Sequence, residues 1–206
     1  MSAGVKASRL KALFGRIRDI GADRRGVAAV EFAIIAPLLL SMYFVTMEVS
    51  QGIETNKKVG RVGSMVADLV TQQQEVTRAD LDAIMQIGEA TMQPYNRSRA
   101  TIKITGIQIT TDTTPQARVT WWRKLEDGAA SGAAPTNETT TVPATLMVPG
   151  SFLVRVESSL AYRPVITWAA ADKPALGLTA AFDGIPMAET YYLRPRMSPQ
   201  VKCLNC

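Results

Sequence analysis

One run of apolar residues restricts the fold of this chain more than any other feature. Residues 27–47, VAAVEFAIIAPLLLSMYFVTM, contain a single charged side chain, that of Glu31. At about 1.5 Å of rise per residue, about 21 helical residues span the hydrocarbon core of a bilayer, which is about 30 Å thick. The run therefore predicts one transmembrane helix. A carboxylate at mid-bilayer costs on the order of 2.5–3.5 kcal/mol, so we expect Glu31 to have a function.

The charges on either side of this run predict its orientation. Residues 1–25 carry seven basic and two acidic side chains, which account for the whole net charge of +5. Basic residues collect on the cytoplasmic side of membrane helices. We therefore expect a cytoplasmic leader at residues 1–26, the membrane helix at 27–47, and a domain at 48–206 across the membrane. A cleaved secretory signal is the alternative, but no A-x-A site follows Leu40.

The composition also excludes several functions. After residue 25 the basic and acidic residues balance, so a basic surface for nucleic acid is not expected. The chain has no histidine, which removes Ser-His-Asp and Cys-His catalysis and zinc sites with imidazole ligands. Cys203 and Cys206 form a C-x-x-C pair, for which a local disulfide, inert thiols, a partner contact, and metal or redox chemistry all stay open. We expect no enzyme activity, no cofactor and no metal.

Periodicity predicts the rest of the fold. Apolar residues continue at helical spacing past the membrane run to about residue 71. A capping box, Thr77 to Asp80, opens a second helix to about residue 92, with Ile87 among its inward-facing residues. Alternating segments at 102–109, 117–121, 152–163 and 187–194 predict strands, the first with a phase shift at Gly106. Long loops are expected at 126–141 and 164–184. The sequence therefore predicts an α+β protein whose long N-terminal transmembrane helix continues into a domain with a second helix and a roughly four-stranded antiparallel sheet.

The start of the apolar run resembles a known processing signal. Gly26 followed by VAAVEF, with Glu31 five residues after the glycine, resembles the prepilin cleavage-and-assembly signal of type IV pilins and pseudopilins. The longer form RRGVAAVEFAIIAPLLL is similar to TadE/TadG-like pseudopilins of the tight-adherence (Tad) pilus, and later blocks, VADLVTQ at 66–72, Pro94 and YYLRPR at 191–196, extend the likeness.

This resemblance implies an inner-membrane protein of bacteria with a pilin-like periplasmic domain. It also implies that a prepilin peptidase cuts between Gly26 and Val27. The implied partners are that peptidase, other Tad minor pseudopilins, the major pilin and the inner-membrane pilus assembly platform. N-methylation of Val27 stays open, as does the choice between the filament, its tip and the assembly complex.

The chemistry of these residues gives the signal a rationale. Glycine lets a protease approach the backbone closely. Cleavage exposes an α-ammonium group with a reference pKa of about 7.7–8.0, with which Glu31 can pair on its own or a neighbouring subunit. Two opposite charges about 4 Å apart attract by roughly 4 kcal/mol at an effective dielectric of 20, and desolvation offsets part of this. The pair should therefore fix subunit register. Pro37 has no N–H and is expected to kink or loosen the helix.

The sequence thus favours a minor pseudopilin, without catalytic activity, that initiates or caps a Tad-type adhesive pilus. An uncleaved single-pass membrane protein, whose periplasmic domain binds a ligand or partner, is the first alternative. A redox or metal enzyme that uses Cys203 and Cys206 is the second.

Overall fold

A single long helix dominates the N-terminal half of the protein. The computed structural model describes residues 26–133, 138–165 and 184–206. Helix α1, Val27–Thr71, runs without interruption for 45 residues, which confirms the continuation past the apolar run. The contacts divide the chain into two units between Met47 and Glu48. Residues 1–25 of the expected leader and most of the expected loop at 164–184 lie outside the described residues.

The second unit is an α+β domain, as predicted. Its elements after α1 are β1 (Glu75–Val76), α2 (Arg78–Ala90), β2 (Thr101–Ile109), β3 (Ala117–Glu126), β4 (Ala129–Ala133), a short 3-10 helix (Ala144–Leu146), β5 (Phe152–Tyr162), β6 (Ile185–Leu193) and β7 (Lys202–Cys203). Five strands form one antiparallel sheet in the order β4-β3-β2-β5-β6. Strands β1 and β7 form a separate parallel pair.

The sheet has one strand more than expected. The sequence predicts a loop at 126–141, but Ala129–Ala133 pairs antiparallel with β3. Asp127 and Gly128 form the turn, with φ of 50° and 80°. A two-residue turn with positive φ at both positions favours Asp-Gly, and its backbone twist matches that of the two strands of a hairpin. The small residues after it show no alternation of polarity, so periodicity alone did not indicate a strand.

Both helices pack on one face of the sheet. The buried core combines Val59, Val62, Val66 and Val70 of α1, Leu81 and Met85 of α2, and Ile102, Ile104, Val154 and Val156 of the sheet. Gly88 lets α2 lie against α1, since a Cβ there would come within 2.9 Å of Val66 Cγ2. The prediction that Ile87 faces inward is wrong, because its side chain is 52% exposed. A smaller cluster of Ile107, Ile109, Ala117 and Leu153 lies under Val142, Leu146 and Met147.

The phase shift expected at Gly106 is present. The β2–β3 register shifts between Gly106 and Ile107. The Trp121 ring occupies the space above Gly106, where a Cβ would lie 2.5 Å from a ring atom. The Trp121 indole is buried, and its Nε1 donates a hydrogen bond to the Val201 carbonyl at 3.0 Å. Trp121 is therefore a core residue that holds the C-terminal segment against the sheet.

Helix α2 begins at the expected capping box. The Asp80 N–H donates to Thr77 Oγ1 at 3.2 Å, and the Thr77 N–H donates to Asp80 Oδ2 at 2.8 Å. The Thr77 hydroxyl also donates to Asp80 Oδ2 at 2.7 Å, and this hydrogen bond, followed by the one from the Thr77 N–H, holds the pKa of the Asp80 carboxyl below its ordinary value. Two residues further on, the Arg123 guanidinium donates two hydrogen bonds of 2.7 Å to the Asp82 carboxylate, which joins α2 to β3. This hydrogen bonding raises the pKa of Arg123.

Candidate functional site

The first unit presents apolar side chains to its surroundings on all sides. Phe32, Ile34 and Val30 are 72%, 70% and 59% exposed. The most apolar 18-residue window of α1 has a mean hydropathy of 2.0, and none of it is buried within the protein. Exposing this surface to water would be costly, at about 25 cal/mol per Å² of apolar area. The helix therefore fits the anchor of a single-pass membrane protein.

The predicted processing residues lie at the start of this helix. Gly26 immediately precedes α1, and among the described residues no atom beyond its chain neighbours comes within 4 Å of a Cβ built on it. Val27 is the first helical residue, and Glu31 is exposed four residues later. Residues at this spacing lie on the same helix face, one turn apart. An amine created at Val27 would therefore lie one turn from the Glu31 carboxylate of its own chain; cleavage and pairing both stay predictions.

Helix α1 continues through Pro37. Proline cannot donate to the carbonyl four residues earlier, so a kink or local loosening at this position stays a prediction. Further along, the Ser41 hydroxyl donates to the Leu38 carbonyl and the Thr46 hydroxyl to the Met42 carbonyl, both at 2.8 Å. Both hydroxyls are thus satisfied within the helix, as a hydrocarbon environment requires.

A cluster that the sequence did not reveal lies directly after the apolar run. We call Glu48, Tyr95, Arg97 and Tyr162 the junction cluster. The Tyr162 hydroxyl donates a short hydrogen bond to Glu48, whose other carboxylate oxygen accepts from the Val165 N–H at 3.0 Å. Burial and, secondly, this hydrogen bond to Glu48 raise the pKa of Tyr162 to about 12.

Arg97 completes the junction cluster. Its guanidinium lies over the rings of Tyr95 and Tyr162, 4.9 and 5.3 Å from their centroids, and these two rings stack with centroids 5.4 Å apart. Arg97 Nη2 donates to the Tyr162 hydroxyl at 3.2 Å and lies 4.0 Å from Glu48 Oε1. The cluster thus fixes the first two turns of α1 within the domain to the end of β5. The only sequence signal was an acid placed immediately after the apolar run.

Two blocks of the resemblance meet at the other end of α1. Arg196, from YYLRPR, lies 2.7 Å from the Asp68 carboxylate of VADLVTQ. The Arg196 N–H also donates to the Thr71 carbonyl at 3.0 Å. Tyr191, from the same C-terminal block, packs against Gly63 of α1. These two blocks therefore have a structural role, which is to hold α1 on the sheet.

Cys203 and Cys206 are joined by a disulfide in the structure, with Cα atoms 5.5 Å apart. The loop that it closes caps α2: Asn205 Oδ1 accepts from the Arg78 N–H and the Cys206 carbonyl accepts from Arg78 Nη2, both at 2.8 Å. Within the described ranges, no group of three or more His, Cys, Asp or Glu side chains could hold a metal ion. The geometry gives the cysteine pair a structural role at the start of α2.

Helix α1 is the one helix in the described part of the chain that is long and apolar enough to cross a membrane, and it fits a single-pass, membrane-anchored protein. Residues 26–67 match the family model described as TadE-like protein. The chain therefore carries a TadE-like domain, which begins at Gly26 and lies almost entirely within α1. This match supports the interpretation that the protein is related to the Tad pilus. No curated protein and no solved structure matches the chain.

Proposed function

We propose that this protein is a minor pseudopilin that takes part in assembling a Tad-type adhesive pilus, by initiating or capping the filament. It is inserted in the bacterial inner membrane with its leader in the cytoplasm and its domain in the periplasm. The observation that carries this proposal is the TadE-like match over residues 26–67, which begins at the glycine of the processing signal. The protein acts as a structural component and catalyses no reaction.

Processing is the first step of the proposed function. A prepilin peptidase cuts after Gly26, and Val27 becomes the N-terminus. The open space at Gly26 supports this, since no atom of the described residues, its chain neighbours aside, lies within 4 Å of a Cβ built there. The test is to express the full chain with and without the cognate peptidase and to measure its mass. We expect a loss corresponding to residues 1–26 only when the peptidase is present; an unchanged mass would favour an uncleaved anchor.

Glu31 then directs assembly. An unpaired carboxylate in lipid is costly, and docking beside a neighbouring subunit relieves this cost when the carboxylate meets an α-ammonium group. This ion pair fixes the depth at which the helix docks. Contacts with other pseudopilins, the major pilin and the assembly platform also help to fix it. The TadE-like domain supports such contacts with other pilus components.

Substitution separates processing from assembly. The Glu31→Ala variant should be cut normally but fail to support pili, because the docked helix loses its charge partner. Glu54→Ala is the matched control, since it removes an exposed acid of the same helix outside the apolar run. Normal piliation by Glu31→Ala would show that the pairing is wrong. The Cys203→Ser, Cys206→Ser double variant should still be processed, whereas a redox enzyme would lose its function.

A further inference from the structure

One row of α1 side chains points away from the domain just after the apolar run. Val49 and Ile53 are 56% and 54% exposed, and Lys57 and Arg61, four and eight residues after Ile53, are exposed as well. We call these four residues the outer row. Residues four apart are neighbours on a helix surface. The outer row therefore continues the apolar surface for two turns and then becomes basic for two turns.

The contacts of α1 with its own domain do not account for the outer row. Those contacts are made by another face, whose residues Thr55, Val59, Val62 and Val66 are buried. The TadE-like match continues about twenty residues beyond the apolar run and includes all four positions of the outer row. The segment that this chain shares with the family model therefore includes a surface that the described part of the chain leaves uncovered.

We propose that the outer row is the docking surface for the helix of a second, different pilin-like chain, which presents apolar side chains to Val49 and Ile53 and acidic side chains to Lys57 and Arg61. This inference rests on the proposed function and specifies the chemistry of the partner. A second copy fits poorly, because in a parallel, in-register pair Lys57 and Arg61 would face their own copies, and like charges repel. An acidic partner removes that repulsion and fixes the register of the two helices.

The test places a photoreactive amino acid at position 53 of the full chain, in membranes of the host that carries the whole pilus system. Position 54 is the control, since it is turned by about 100° around the same helix. We expect an adduct from position 53, stronger than from position 54, whose second component has an apolar N-terminal helix and acidic residues at the cross-linked level. An adduct between two copies, an adduct with a protein lacking that helix, or no difference between the positions would overturn the docking surface.

Charge reversal tests the basic half of the row. The Lys57→Glu, Arg61→Glu variant should reduce the position-53 adduct about fivefold or more, since two attractions become repulsions. The Lys57→Arg, Arg61→Lys variant keeps both charges and should leave the adduct unchanged. An equal adduct in the reversed variant would overturn the charge pairing on which the choice of partner rests.

The N-terminus and the pili are analysed in the same strains, so that the two proposals can fail separately. If residues 1–26 are removed and pili form but position 53 gives no adduct, the docking surface is wrong and the proposed function stands. If Met1 is retained and no pili depend on the chain, the proposed function is wrong. An adduct of the expected chemistry in that case would still support the docking surface.

Discussion

Gly63 lies where α1 packs tightly against the sheet, and this close contact leaves no room for a side chain. A Cβ at this position would lie 2.8 Å from both Ser158 Oγ and Tyr191 Cδ2. The Ser158 hydroxyl is buried and donates to the Val59 carbonyl at 2.9 Å, so it cannot move without losing that bond. We expect Gly63→Ala to lower the free energy of unfolding by about 1–3 kcal/mol, as overpacking does. Denaturant unfolding of the full chain in detergent measures this.

Gly52 supplies the control for that prediction, since it is also within α1. A Cβ at this position would make ordinary contact with the Tyr162 ring at 3.8 Å. Gly52→Ala should therefore leave the free energy of unfolding unchanged or raise it by up to about 1 kcal/mol through helix propensity. Equal effects of the two substitutions would show that close packing at Gly63 is not the cause.

Asp80 makes the stability of the domain depend on pH. Because Thr77 lowers the folded-state pKa of this carboxyl below the unfolded value, its contribution is present above the unfolded pKa. The contribution is lost as pH falls through the lowered pKa. We expect Asp80→Ala to lower the Tm at about pH 6 and to differ little from the unchanged protein at about pH 2. Thr77→Ser keeps the hydroxyl and should follow the unchanged protein; a pH-independent effect of Asp80→Ala would contradict the charge-based cap.

At the scale of elements, the sequence predicted the helices and strands that depend on interactions between residues near each other in the chain. The helical period of α1, the capping box at Thr77 and the alternation in β5 each depend on neighbours along the chain, and all three appear in the structure. The residues of the signal at Gly26 and Glu31 are also close together in the sequence, but cleavage and pairing stay predictions. The match to the TadE-like family covers this same contiguous segment.

The junction cluster could not be predicted in the same way. Glu48, Arg97 and Tyr162 are far apart in sequence, and only the folded sheet brings them together. The edge strand β4 was missed for another reason: its sequence, AASGA, has no polarity pattern, and only its pairing with β3 makes it a strand. Neither long-range contacts of polar side chains nor strand pairing of small residues produces a periodic pattern in the sequence.

The junction cluster should behave as one energetic unit. A hydrogen bond to a charged group contributes about 1.5–3 kcal/mol, and Glu48 accepts one from the buried Tyr162 hydroxyl. We expect Glu48→Gln and Tyr162→Phe each to destabilise the domain. The double variant should lose less than the sum of the two, with a coupling energy on the order of 1 kcal/mol.

Unfolding of the four proteins of this double-mutant cycle in detergent gives the coupling energy. A cycle between Tyr162→Phe and Asp82→Asn provides the control, because Asp82 pairs instead with Arg123. Additive effects of Glu48 and Tyr162 would show that the short contact between them does not contribute to stability.

At the scale of the whole molecule, the two units need different surroundings. The first unit exposes apolar side chains along α1, whereas the second has its own buried core and a disulfide. Disulfides persist in oxidising compartments such as the bacterial periplasm. The basic leader and the disulfide thus favour the same orientation by independent routes, one through the positive-inside rule and the other through redox chemistry.

That orientation predicts which residues a membrane-impermeant maleimide can reach. In a Cys203→Ser, Cys206→Ser background, a single cysteine at Thr111, an exposed position of the domain, should react in intact spheroplasts. A single cysteine at Ser8 of the leader should react only after the membrane is permeabilised, in cells that lack the peptidase and so keep the leader. The seven basic side chains of residues 1–25 oppose translocation of that segment. The reverse labelling pattern would place the domain in the cytoplasm, where no periplasmic pilus could recruit it.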